Sequence, residues 1–499
     1  MRFGIDFGTT RTVVAAVLDG RHPVVAFDDH GEFRSHVPGI AALCGGELLV
    51  GWPAAHALAA GEADHAIRSI KRVAQTHAPD EPVPGLPGLT ALELVTAFLR
   101  ELRRTLLEHS TIEFPAGAPL EAMVSVPANA ASRQRWLTLE AFRRAGFTPV
   151  GMVNEPTAAA IELAHLHLGE LGKRSPKRYV VVYDLGGGTF DTSAVSLVGR
   201  RFELIAAEGI ARLGGDDFDE IVLDLACAQL GAVPEGAARA AALERAREAK
   251  EMLKPASKKL LVELGPLGSA TIDTAELYAR CEPLIDRTLD ETDRLFARLR
   301  GAAIDADDPR ELGGVYLVGG AAAFPAVARK LRARFGKKLQ LAPQPFAATA
   351  VGLAIAADPG AAVMVRETAT RHFGVWREAA GGADKVFDPL IGKGVTGTIE
   401  RRYHPTHAVG HLRFLECGAL DPTGQPVHDL VPWQDIYFPY DPALADREDL
   451  PALADERRPD LHDLEIAERY TYAADGTIQV QIENVSRGYA RTYALGALR

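Results

Sequence analysis

Cysteine is nearly absent. Four occur in 499 residues, Cys44, Cys227, Cys281 and Cys417, and no two form a CxxC pair. That speaks against a disulfide framework or a cysteine-based zinc finger and fits a reducing compartment. Long apolar runs are missing too. The longest candidate, AATAVGLAIAA at 347–357, is too short to cross a membrane and reads as a packed, alanine-rich helix. Positive charge is not in excess. Lys and Arg number 55 against 66 Asp and Glu, a formal net charge of −11. A general nucleic-acid binder would carry a basic face, so nucleic acid is not an expected partner. The first residues enter a strand pattern directly, with no leader-like segment before it. A cytoplasmic protein with no membrane association is the expectation. The phosphate loop GxxxxGKS/T is absent as well.

What is present is an ordinary globular balance, 47% hydrophobic and 24% charged residues. The length calls for two or more domains. Up to residue 357, strand patterns (RFGIDFG, TVVAAVLDG and HPVVAF near the start, EAMVSVPA at 121–128, GGVYLVGG at 313–320) alternate with helical ones at 89–110, 132–147, 237–254 and 275–300. That alternation predicts an α/β fold. The stretch DPGAAVMV, within 358–366, reads as a linker. Residues 367–499 break into short β-rich runs split by Gly, Pro and Asp, which predicts a separate, mostly antiparallel domain.

One stretch is not explained by packing. FGIDFGTT (3–10) ends a strand with an acid, a glycine and two hydroxyls, and VYDLGGGT (182–189) repeats the plan. The repeat implies two related halves facing each other. Glycines let backbone N–H groups converge on an anion, and Thr9, Thr10 and Thr189 add hydroxyls. Asp6 and Asp184 would repel phosphate unless a divalent cation lay between, and Mg²⁺ takes oxygen ligands while keeping several waters. Either turn alone would pass for an ordinary hairpin. Two in register favour a metal–polyphosphate held between the halves. Lys71 (SIKRV) and Glu155 (VNEPTAAA) suit a terminal phosphate and a positioned water. The glycine pairs Gly214–Gly215 and Gly319–Gly320 suit either close approach to a sugar or base, or plain turns.

GIDFGTT, SVPANAASRQ, VNEPTAAA, YDLGGGTFD, LGGDDFD and LVGG occur in an order and spacing that resembles the DnaK-type chaperones, the heat-shock protein 70 family. The resemblance covers roughly residues 2–357. It implies a two-lobed actin-like ATPase domain over 1–357, a linker over 358–366, and a smaller β-sandwich substrate-binding domain over 367–499. The implied ligands are ATP or ADP with Mg²⁺. By the same resemblance Gly8, Thr9 and Thr10 bind phosphate in one loop, and Gly186, Gly187, Gly188 and Thr189 in the other. Asp6 and Asp184 hold hydrated Mg²⁺. Lys71 contacts the γ-phosphate, and Glu155, Thr189 and Asp191 support metal and water. Gly214 and Gly215 approach phosphates and ribose, while Arg247, Lys250, Lys254, Gly319 and Gly320 lie around ribose and base. The implied partners are unfolded or extended polypeptides, with a co-chaperone and a nucleotide-exchange factor.

The sequence departs from the family pattern in four places. Glu251 stands where the family usually has an arginine that stacks on adenine, and Phe346 where it usually has an acid. The linker lacks an acidic, leucine-rich character, which implies weakened or rewired coupling between domains. The helical lid of the family is not found after the last strand pattern, so a lidless member is expected. HPTHAVGHLRFLEC groups His404, His407, His411 and Cys417, of which the last three could share a strand face and hold a metal; loop and core histidines are the commoner explanation. The competing functions are a small-molecule kinase of the same superfamily and a nucleotide-dependent scaffold.

Overall fold

Two mixed sheets share one plan. A computed structural model describes all residues except 116, 167–174, 199–200, 301–307, 367, 380–383, 396, 434, 474–475 and 495–499. The expected start of the last domain at 367 and its final residues, 495–499, therefore lie outside the described residues. In the first sheet Thr148–Asn154, Glu121–Val126 and Arg2–Phe7 run parallel, and Arg11–Ala16 and Val37–Pro38 follow antiparallel. In the second, Leu339–Leu341, Leu312–Val318 and Tyr179–Leu185 run parallel, and Phe190–Ser196 and Arg201–Ile210 follow antiparallel. The repeated order of directions extends the echo between the two turns to whole lobes. HPVVAF, expected as a further strand, leaves only a bridge between Ala15 and Val24 before the short strand Phe27–Asp29. Pro23, which has no N–H to give to a ladder, accounts for the break.

The central strands are apolar on both faces because both faces are covered. Two alanine-rich helices, Glu155–Leu166 and Ala348–Ala357, pack between the sheets. Glycine sets how closely they pack. A Cβ on Gly352 would lie 1.8 Å from the Ala158 carbonyl oxygen, and one on Gly4 would lie 2.2 Å from the Ala354 nitrogen. On the outside of the first lobe, helix Ala91–Glu108 starts at a capping box made by Thr90 and Glu93.

Met364–Arg366, at the end of the linker, joins the second sheet. It pairs in parallel with Arg201–Ile210, Phe202 facing Val365. The linker docks although it lacks the expected leucines, because ladder hydrogen bonds come from backbone and need no particular side chain.

After residue 366 the described residues form strands and short 3₁₀ turns, with no α-helix among them. One sheet holds Asp384–Ile391, His372–Ala379, Val409–Cys417 and Val431–Pro432, with Ile436–Pro439 also on Val409–Cys417. The other holds Gly397–Tyr403, Ile466–Tyr472, Ile478–Asn484 and Tyr489–Ala494. Phe373, Phe414, Phe438, Tyr470, Val480 and Ile482 fill the space between them. The fold is thus the expected two-lobed α/β unit with a β-sandwich beside it.

Candidate active site

The two hairpin turns meet across a cleft between the lobes, with a cavity of about 1020 Å³. A Cβ on Gly187 would come 2.9 Å from Cγ2 of Thr10, so the turns face each other at contact distance. Gly214 and Gly215 press a third segment on the second turn. The Gly215 and Asp216 N–H groups donate to the carbonyls of Gly186 and Gly187 at 2.9 and 2.7 Å. A Cβ on Gly214 would lie 2.5 Å from the Gly187 oxygen. Gly319, at φ +92°, packs where a Cβ would lie 2.4 Å from the Asp184 carboxylate. These glycines let backbone stand where side chains would otherwise fill the cleft.

Acids gather at its floor. Asp6 ends the first strand and accepts a 2.8 Å hydrogen bond from the Ser125 hydroxyl. Asp184 and Asp191 face each other across the second hairpin. Lys71, buried on helix Ile70–Thr76, donates to Glu155 at the start of its helix. Burial and the Glu155 charge push the Asp6 carboxyl up to about 6, and burial, again with Glu155, pushes Asp191 up to about 7. Asp184 stands well above the ordinary range, from burial first and then from the neighbouring acids. Burial works against the Lys71 ammonium, but Glu155, Asp6 and Asp184 outweigh it and raise its pKa. The floor is short of positive charge, which is the condition that favours a bound cation.

The other wall is helix Gly236–Glu251. Glu251 accepts from Arg11 of the opposite lobe at 2.6 Å and from Arg247 at 3.4 Å. These cations overcome burial and hold its carboxyl below the ordinary range. Lys250 is committed to Asp219 and to the Gly215 carbonyl, so it braces the glycine segment. Phe346 and Gly320 line the same end.

Every expected site residue except Gly214 and Lys254 lines the cleft itself. Gly214 lies directly behind Gly187. Lys254 is exposed and outside the lining, because the helix ends at Glu251 and the chain turns away. The sequence reading also missed residues that line it, including Arg72, Asn129, Gln134, Asp216 and Asp429. Arg72 packs its guanidinium against Gly188, 2.7 Å from where a Cβ would stand. Its place beside Lys71 in SIKRV was the available signal. Asp429 belongs to the β-sandwich and had none.

The histidine group does not converge. His404 bonds the Leu464 carbonyl, His411 bonds Asp435 at 2.8 Å, and Cys417 is fully buried. His411 and Cys417 share a strand face but lie six positions apart, about 20 Å along an extended strand. One ion cannot reach both.

Residues 89–368 match the family described as Hsp70 protein. The chain belongs to the Hsp70 family. It is 35% identical over 381 residues to a protein of Acidithiobacillus ferrooxidans named Chaperone protein HscA homolog, covering 72% of this chain and 58% of that one. Proteins of the same name from Bordetella petrii (33% over 372 residues, 71% and 57% covered) and Burkholderia pseudomallei (35% over 379, 71% and 58%) are similar too. The chain thus spans less than two thirds of the length of these Hsp70-family relatives. Among the described residues, no helix is long and apolar enough to cross a membrane.

Proposed function

We propose that this chain binds and hydrolyses Mg-ATP between its lobes and couples that cycle to polypeptide binding by the β-sandwich. The observation that carries the reading is the meeting of two Gly–Thr turns, each with a half-buried aspartate, across one cleft. The aspartates fit a hydrated Mg²⁺, since their carboxyls are raised by burial and by neighbouring acids, and the Lys71 charge with hydrogen bonds from Ser125 and Thr189 offsets this only in part. When bound, Mg²⁺ would neutralise phosphate charge.

The chain's own residues supply the rest. Asp6 and Asp184 hold the hydrated ion. The Gly8–Thr10 and Gly186–Thr189 turns cradle the phosphates. The Gly8 and Gly186 N–H groups are spent on the Asp6 and Thr189 carbonyls and close the turns, which leaves the loop tips to donate to phosphate oxygens. The Lys71 ammonium binds the terminal phosphate, and Glu155 and Asp191 orient the attacking water beside it. Such a site works by placement and charge and needs no nucleophilic side chain. Gly319, Gly320, Arg247, Glu251 and Phe346 form the nucleoside end. The nucleotide unit runs through residue 357, the linker over 358–366 and the polypeptide-binding unit from 367. Unfolded or extended polypeptides are the clients, with a co-chaperone and an exchange factor as further partners in a cytoplasmic setting.

The test is ATP turnover with and without unfolded peptide, and with a panel of sugars. Turnover changed by peptide supports the reading. Phosphate transfer to a sugar would make the protein a kinase instead.

A further inference from the structure

Asp29, His30 and His56 form a cluster on the outer face of the first lobe, away from the nucleotide cleft. Their ligand atoms all lie within 4.8 Å of one another. Three elements bring them together. Asp29 ends the strand Phe27–Asp29, anchored by the fully buried Phe27 and by a 2.7 Å bond from the Asp28 N–H to the His109 carbonyl. His30 occupies the turn that follows, with φ +54°. The Asp28 carboxylate accepts from the Gly31 N–H at 2.6 Å and fixes that turn. His56 projects from the second turn of helix Trp52–Ala60 and meets the Asp29 carboxylate at 3.3 Å.

The geometry points to a zinc site made by Asp29, His30 and His56. The ligand chemistry selects the ion. Two imidazoles and one carboxylate suit a borderline divalent metal, whereas Mg²⁺ and Ca²⁺ want oxygen throughout. Zn²⁺ binds nitrogen and oxygen at about 2.0–2.1 Å, which places tetrahedral ligands about 3.4 Å apart. The Asp29–His56 contact already has that spacing. The His30 and His56 rings, 5.3 Å between centroids, close on the same point with a small side-chain rotation. The Asp29 carboxylate is largely buried while both imidazoles reach solvent. An ion can therefore enter, and a water takes the fourth position. The left-handed backbone of His30 follows from the two-residue turn His30–Gly31, which needs positive φ at both positions. Bound zinc would tie the hairpin to helix Trp52–Ala60.

The experiment titrates the metal-free full chain with Zn²⁺ against a chromophoric chelator at neutral pH, without nucleotide. His30→Asn keeps a residue that tolerates the left-handed turn, and His56→Ala keeps a good helix former. Asp184→Asn controls for zinc taken up by the cleft acids. One equivalent should bind to the parent chain and to the Asp184 variant. Either histidine variant should lose at least about tenfold in affinity, since losing a ligand exceeds the effect of losing an outer partner. Co²⁺ should give a tetrahedral visible spectrum that both histidine variants abolish, and zinc should raise the melting temperature only where both histidines remain. Equal zinc affinity in parent and histidine variants, or a zinc equivalent that disappears with Asp184 alone, would overturn the site.

Discussion

Glu416 of the β-sandwich caps a helix in the first lobe by bonding Ser132. Its carboxylate accepts from the Ser132 N–H at 3.1 Å and from the Ser132 hydroxyl. Helix Ser132–Arg144 has no side-chain cap of its own, since Ala131 holds the cap position. A carboxylate is well placed at a helix N-terminus, where N–H groups are unpaired and the dipole is positive. Arg371 lies 3.7 Å from Glu416 and also binds Asp429, which reaches the cleft. A chain of contacts thus runs from the cleft between the lobes through the β-sandwich and back to the first lobe.

Glu416→Ala should weaken docking of the β-sandwich by about 1–3 kcal/mol, as expected for a buried hydrogen bond to a charged group. Hydrogen exchange at the first turn of helix Ser132–Arg144 reads the loss directly. Unchanged protection there would mean the cap contributes nothing.

Docking should also depend on pH. Burial raises the Glu416 carboxyl, and Ser132, Arg371 and Arg135 pull it back only in part. The docked state therefore holds the proton to higher pH than the undocked state. Docking is strongest below the ordinary carboxyl range and weakens as pH rises through the raised value. Interdomain fluorescence transfer should increase as the pH is lowered from neutral through the raised Glu416 value. Glu416→Gln imitates the protonated form and should flatten the profile.

These couplings explain what the sequence could and could not reveal. The turns at Asp6–Gly8 and Asp184–Gly186 were legible because acid, glycine and threonine are neighbours in the chain. So were the β-rich runs after 366, through their alternation and breakers. Arg11–Glu251, Glu416–Ser132 and the Asp429 approach join residues far apart, and they exist only once lobes and sandwich have packed. Lys254 lies outside the cleft lining because the helix stops at Glu251, an end that its neighbours in sequence do not mark. Linker docking was hidden because its ladder uses backbone.

Lys71→Ala should lower ATP turnover about 10²-fold or more, as when a positioned transition-state contact is lost. Nucleotide binding should persist, because the glycine turns do not depend on that side chain. Single-turnover hydrolysis separates the two effects. A rate near that of the parent chain would remove Lys71 from the reaction.

Glu251→Gln should loosen the closed cleft. The Arg11–Glu251 pair bridges the lobes but is partly exposed, with side chains 24% and 47% accessible. Such a pair contributes about 0–1 kcal/mol. Nucleotide release should therefore speed up by no more than about fivefold and become less sensitive to salt, which screens the bridge in the parent chain. Stopped-flow release of a fluorescent ADP analogue measures both. Slower release would show that Glu251 itself obstructs the nucleoside end.

The docked linker offers a way to separate nucleotide chemistry from coupling. Val365 lies in the middle of the three-residue strand that pairs with Arg201–Ile210, and its side chain packs against the Phe202 cluster. Proline at 365 fixes φ away from the extended strand value and removes an N–H from this three-residue edge strand, which weakens its pairing. The site residues lie elsewhere in the lobes, so Val365→Pro should leave basal ATP turnover within about twofold, as for a change remote from the reacting atoms. If the strand carries the signal between sandwich and cleft, the change in turnover caused by unfolded peptide should disappear. Combining Val365→Pro with Glu416→Ala then tests whether there is a second route. A peptide effect that survives the proline but vanishes in the double variant would assign coupling to the Glu416–Ser132 contact. One that survives both would place it in neither.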